Sequence, residues 1–168
     1  MKYVYLYNTG IKELGTLGIG ACEDKITDLF FEYEIENVKK NKNYVIKETP
    51  LIKKAASQLF EYLNGKRMEF DLPLLKDSTD FQISVWNELL KIPYGETRSY
   101  KDIAVAINNE KAVRAVGMAN NRNKISIFIP CHRVIGSNKK LVGYGGGLEI
   151  KEFLLNLEKK NRLKKIEK

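Results

Sequence analysis

The sequence predicts an α/β domain over residues 1–76 followed by a mostly α-helical domain over residues 77–168. Three observations predict it. Short strand-like runs crowd the first part, the apolar spacing turns helical after residue 79, and the charge moves with it. Residues 1–76 carry 12 basic and 11 acidic side chains (net +1), whereas residues 77–168 carry 17 and 10 (net +7). A basic half suits a phosphate backbone, because lysine and arginine release its counterions, although a solvated basic surface has the same composition.

The elements follow in order. Residues 3–7, 26–35 and 44–47 read as strands, and Gly15, Gly18 and Gly20 punctuate the stretch between the first two, so the region reads as a small sheet. Thr49 and Pro50 then supply a cap and a first helical residue. Leu51, Ile52, Ala55, Ala56, Leu59 and Leu63 form one face before Asn64 and Gly65 end the helix, which is expected to cover the sheet. Residues 68–77 have no clear period and read as a connector, which places the domain boundary there.

Thr79 and Gln82 open the next helix as a capping box, with Phe81, Val85 and Leu89 on its inner face. Pro93, Tyr94 and Gly95 break it. Ser99 and Asp102 cap a second helix through Ile103, Ala104 and Ile107, Asn108 and Asn109 make a turn, and residues 111–121 form a third helix with Ala112, Val113, Val116 and Ala119 inward. The pair at about 99–121 has the spacing of a DNA-binding helix-turn-helix, and of a plain helical hairpin. Small residues around Val116-Gly117 favour close packing, and Arg114 and Arg122 flank the expected recognition helix. Residues 125–129 then read as a strand, residues 143–147 as a glycine-rich loop, residues 148–157 as a helix, and the basic tail 159–168 as a solvated end.

Composition excludes several classes. No apolar run approaches the ~18 residues of a membrane span, and residues 3–7 are too short for a signal-peptide core, so the expected location is inside a cell. Cys22 and Cys131 lie far apart, which argues against a disulfide framework and for a reducing compartment. With two cysteines and one histidine, the chain is short of ligands for a structural zinc site, and no metal or other cofactor is expected.

The single histidine, His132, directly follows Cys131 in the run Ile129-Pro130-Cys131-His132-Arg133. A thiol attacks as thiolate and needs a base or a positive environment, which His132 and Arg133 are placed to supply. Neighbouring side chains of an extended segment diverge, so direct contact needs a tight turn at Pro130; otherwise a water bridges them. Cys22 has no histidine nearby and reads as a buried free cysteine.

With Val134 added, this run resembles the active-site signature of the O6-alkylguanine-DNA alkyltransferases, also called methylated-DNA-protein-cysteine methyltransferases. Tyr144-Gly145-Gly146-Gly147-Leu148 with Lys151-Glu152-Phe153-Leu154-Leu155 is similar to the family's following loop and helix. Pro93-Tyr94-Gly95-Glu96-Thr97, Ser99-Tyr100 and Arg114-Ala115-Val116-Gly117 are similar to further family segments in the same order. The resemblance implies a ribonuclease-H-like N-terminal domain, a winged helix-turn-helix C-terminal domain and a monomer without cofactor, in the cytoplasm or a eukaryotic nucleus. It implies repair of duplex DNA through the minor groove: O6-alkylguanine is flipped out and its alkyl group passes irreversibly to Cys131 in one turnover.

Roles follow the resemblance residue by residue. Cys131 accepts the alkyl group, His132 draws off the thiol proton through a water, and Glu158 orients His132. Tyr100 helps to turn out the nucleotide and protonates the leaving guanine. Asn123 braces the active-site turn, and Arg114 fills the gap in the duplex, with Ala115, Gly117, Arg122 and Arg133 also expected at the DNA. Val134, Tyr144, Gly145, Gly146 and Gly147 line the pocket, and Gly145, where some members carry serine, implies a roomier one. Two other classes compete: a lesion sensor that binds without reacting, which has no use for Cys131, and a cysteine hydrolase, which normally draws its histidine from a distant segment.

Overall fold

The computed structural model describes residues 1–136, 144 and 146–167. The chain divides into two compact units, Met1–Lys76 and Asp77–Lys168.

In the first unit β1 (Lys2–Asn8), β2 (Thr16–Ala21), β3 (Ile26–Phe30) and β4 (Tyr44–Ile46) form one sheet of order β3-β2-β1-β4, antiparallel except that β1 and β4 run parallel. The glycine-punctuated stretch is therefore a strand within the sheet. Its glycines make room: a Cβ on Gly18 would lie 3.2 Å from Leu6 and 3.3 Å from Ile35, a residue of the helix α1 (Ile35–Lys40). The strand expected over residues 26–35 stops at Phe30. The Glu34 carboxylate accepts the Phe31 N–H at 2.8 Å and starts a 3₁₀ turn that runs into α1, where Ile35 and Val38 are buried one turn apart.

The helix α2 (Pro50–Leu63) begins as expected, with Thr49 accepting the Ile52 N–H at 3.2 Å and Pro50 in the first turn. Ile52, Ala55, Ala56, Leu59 and Leu63 are buried, and α2 packs on β1, β2 and β3. The connector is anchored to this unit. Ile26 N–H donates to Pro73 O at 2.8 Å, Leu75 N–H donates to Ile26 O at 2.9 Å, and Gln58 bonds the backbone of Asp71 in both directions.

In the second unit α3 (Asp80–Leu89), α4 (Tyr100–Ala106) and α5 (Val113–Asn121) pack on one another. Thr79 caps α3 by accepting the Gln82 N–H at 3.2 Å, but the Gln82 side chain accepts from Ser78 instead of completing a box. Ser99 and Asp102 do form a reciprocal capping box at the start of α4. Trp86, on the buried face of α3 with Val85 and Leu89, donates its indole N–H to Ala119 O at 2.8 Å and so joins α3 to α5. In α5 the buried residues are Val116, Ala119 and Asn120, whereas Val113 is exposed because the helix starts there and not at residue 111.

Two further expectations are corrected. Residues 125–129 form a buried turn and not a strand: Ile127 has φ +72°, and Ile129 N–H closes back on Ile125 O at 2.9 Å. A short parallel pair joins β5 (Arg98–Ser99) to β6 (Val134–Ile135). The last helix, α6 (Leu148–Glu167), runs through the basic tail. Its spacing places Lys151, Leu154 and Glu158 on one buried face, so the helix continues because its later turns have contacts to make.

Candidate active site

Cys131, His132 and Arg133 form a single 3₁₀ turn after Pro130. All three are buried, at 3%, 0% and 7% exposure. The turn is held from both sides. Asn123 donates to Ile129 O at 3.0 Å and accepts the Ile125 N–H at 3.0 Å, which fixes the preceding turn, and Asn120, from α5, donates to Cys131 O at 3.3 Å. Asn120 was not singled out in the sequence, although a polar side chain one residue beyond the inward Ala119 was a signal available there.

Glu158 comes to this turn from α6. Its Oε2 lies 2.6 Å from His132 Nε2, and its carboxylate accepts from Arg133 Nε at 2.8 Å, from a second Arg133 nitrogen at 3.1 Å and from Gly95 N–H at 3.0 Å. Burial alone would push this carboxyl up, but hydrogen bonds and charge from His132 and Arg133 outweigh it and hold Glu158 well below the usual carboxylate range. Burial pushes His132 down, against the pull of Glu158, and favours neutral imidazole. Burial likewise raises the Cys131 thiol, opposed by hydrogen bonds from Asn123 and Ser126 and by the charge of Lys151. The resting pair is thus a thiol beside a neutral base.

Lys151 stands in a motif of the sequence but carries no role there. It is fully buried, donates to Val134 O at 2.5 Å and lies 5.9 Å from the Tyr100 ring centroid. Burial lowers its pKa to about 8 while the Cys131 charge opposes the shift. Its seven-residue spacing from Glu158, on the same helical face, was the legible signal. Tyr100 opens α4, and burial, then the neighbouring Cys131, raise its hydroxyl. Tyr144 is raised well above its ordinary value by burial and by Cys131, which keeps it a neutral phenol. Val134 is fully buried, and Gly146 and Gly147 lead into α6. Gly145, with Gly143, lies outside the described residues.

The residues expected at DNA separate into two groups. Arg114 and Ala115 are exposed in the first turn of α5, Arg122 is exposed at its end, and Gly117 is partly exposed. A methyl on Gly117 would meet the Tyr100 ring at 3.9 Å, an ordinary contact, so glycine is not needed there for helix packing. Arg133 does not belong with them. It is buried, its guanidinium is committed to Glu158 and, at 2.8 Å, to Ile92 O, and no face is left for a phosphate. Cys22 is partly exposed and its thiol donates to Lys25 O at 3.5 Å, so it is not the buried cysteine that the sequence suggested.

Comparison with known proteins decides the family. Residues 80–160 match the 6-O-methylguanine DNA methyltransferase DNA-binding domain, and residues 4–75 match the ribonuclease-like domain of the same enzymes. The chain belongs to the 6-O-methylguanine DNA methyltransferase family. It is 51% identical over 156 residues, 91% of this chain and 94% of the relative, to the constitutive methylated-DNA–protein-cysteine methyltransferase of Bacillus subtilis (strain 168). With the methylated-DNA–protein-cysteine methyltransferase of Methanosarcina barkeri it shares 60% identity over 116 residues, covering 69% of this chain and 73% of the relative. The structure is similar to that of Mycobacterium tuberculosis OGT in complex with DNA, with TM-score 0.84, 40% identity and coverage of 95% of this chain and 94% of the other. Both units of this family member thus carry the likeness, and the α/β unit followed by a helical unit is the family's arrangement.

Proposed function

We propose that this chain removes the alkyl group from O6 of a guanine turned out of duplex DNA and keeps it on Cys131, restoring the base in a single turnover. The observation that carries the reading is the buried cluster of Cys131, His132 and Glu158 in the basic unit, tied through Asn120 to α5, the helix whose first turn exposes Arg114. In the transfer the Cys131 proton passes through a water to His132, whose imidazolium Glu158 stabilises. The thiolate attacks the alkyl carbon, a sulfur–carbon bond forms, and the carbon–oxygen bond breaks with its electron pair going to the guanine. Tyr100 gives that base a proton and is restored from His132, so the products are a thioether and guanine.

An O6-alkyl group lies within the stacked duplex, so the nucleotide must come out at an unstacking cost of a few kcal/mol. Arg114 enters the duplex and offsets part of this cost, with Ala115, Gly117 and Arg122 against the strand and α5 in the minor groove. Asn123 braces the turn, and Val134, Tyr144, Gly146 and Gly147 wall the pocket. The units Met1–Lys76 and Asp77–Lys168 are two domains, and the second carries the chemistry. The protein works as a monomer where thiols stay reduced, in the cytoplasm or a nucleus. No described helix is long and apolar enough to cross a membrane.

The test is mass spectrometry after mixing the protein with a duplex containing O6-methylguanine. One methyl on the peptide bearing Cys131, absent from Cys131→Ala, is the expected result. A correctly folded protein left unmodified after prolonged exposure overturns the proposal.

A further inference from the structure

Arg133 shares the 3₁₀ turn of Cys131 and His132, yet it faces inward. Two of its nitrogens straddle the Glu158 carboxylate, at 2.8 and 3.1 Å, and the third donates to Ile92 O at 2.8 Å. The same carboxylate holds His132 and the Gly95 N–H. A buried carboxylate that met only an imidazole would draw a proton onto it, because an ion pair is better than a lone buried anion. A permanent guanidinium removes that need. With Arg133 in place the cluster is neutral when His132 is neutral, and gains a net positive charge in a dry interior when His132 takes a proton.

We propose that Arg133 is a positioning residue for alkyl transfer: its fixed charge, forked onto Glu158, keeps His132 an oriented, unprotonated base until the thiol gives up its proton. The proposal rests on the function argued above. The other groups facing the cluster act in the same sense or are neutral. Lys151, also on α6, adds positive charge near His132 and lowers it further. Tyr94, in the turn after α3, lies under the guanidinium at 5.7 Å from its ring centroid and is raised by burial, so it stays a phenol. Tyr144 faces Cys131 and Glu158 and is likewise neutral. The Cys131 thiol is the remaining partner, raised by burial.

Because the chain has one histidine, a histidine-labelled sample gives one imidazole titration by NMR, which reads His132 directly. In the unmodified protein without DNA, the expected result is a neutral ring at pH 7, with a midpoint below the ~6.5 of a free histidine. A ring protonated at pH 7 overturns the proposal without any variant. Arg133→Gln, checked for folding by circular dichroism, is expected to raise the midpoint by about one pH unit. It should move the acid limb of the single-turnover methyl-transfer rate by the same amount, so that the rate below the limb falls about tenfold more than the alkaline plateau. Arg133→Lys keeps the charge but loses the fork; its limb should stay near that of the unmodified protein while its plateau drops.

A folded Arg133→Gln protein that is slower at every pH, with limb and midpoint unmoved, overturns the proposal and leaves Arg133 as packing. If Cys131 takes no methyl at any pH, the proposed function fails, whereas the histidine titration still reports on Arg133.

Discussion

Asn123→Ala removes the side chain that holds the buried turn before Cys131, and its cost can be worked from the contacts. Ile125 N–H loses its side-chain acceptor at 3.0 Å at a residue only 3% exposed, a full desolvation loss of about 1–3 kcal/mol. Ile129 O loses the Asn123 donor but keeps the Cys131 N–H at 2.8 Å, so its loss is nearer the ordinary ~1 kcal/mol of one hydrogen bond. The sum, about 2–4 kcal/mol, is a large share of the ~5–15 kcal/mol of a typical domain. The turn also contains Ile127 at φ +72°, a strained conformation for a β-branched residue, which the Asn123 bonds hold together with the backbone bond from Ile129 N–H to Ile125 O. Urea unfolding should therefore show a lower midpoint with an unchanged slope, and methyl transfer should slow by about tenfold or more as Cys131 loses its fixed position. A variant within ~0.5 kcal/mol of the unmodified protein would refute this account of the turn.

Gly95→Ala should lose about 1–2 kcal/mol in the same assay, because Gly95 sits at φ +79° and an added Cβ would come 2.7 Å from the Arg162 side chain; an unchanged midpoint would show that the turn readjusts freely. Acid should destabilise the protein in two steps. His132 and Glu158 both titrate lower in the folded state than their ordinary values of 6.5 and 4.5, so the unfolded chain binds more protons as pH falls through each. Melting temperature should fall below about pH 6.5 and again below about pH 4.5, and a flat profile from pH 7 to 4 would contradict the buried pair. Arg114→Ala should weaken binding to duplex DNA and, with one cation fewer at the DNA, reduce the slope of log affinity against log salt by about 1, measured by fluorescence anisotropy; unaltered affinity and slope would remove Arg114 from the DNA contact.

Helix starts were the most legible part of the fold. Thr49-Pro50 and Ser99-x-x-Asp102 are local devices whose hydrogen bonds close within one turn, so sequence spacing suffices to place them. Segments whose shape depends on remote partners misled. Residues 125–129 are as apolar as a strand, but Asn123 and the backbone fold them into a turn. Residues 31–35 look like strand until Glu34 bonds back to Phe31. The charge of 159–168 marks a solvated end, and residues 159, 160 and 162–164 are exposed, but the helix expected to end at 157 continues, with Asn161 donating to Tyr94 at 3.1 Å and Arg162 to Gly95 O at 3.2 Å.

What the amino-acid order determined by itself was the chemistry: one thiol next to the one imidazole, in a basic half whose motifs stand in a recognisable sequence. Reactive groups are a matter of residue type, and type is written in the chain. Only the tertiary structure decided the electrostatics, because desolvation depends on what surrounds a group in space. It turned Arg133 from an expected DNA contact into the counter-charge of Glu158, brought Lys151 beside Tyr100 and Cys131, and left Arg114 outside in water.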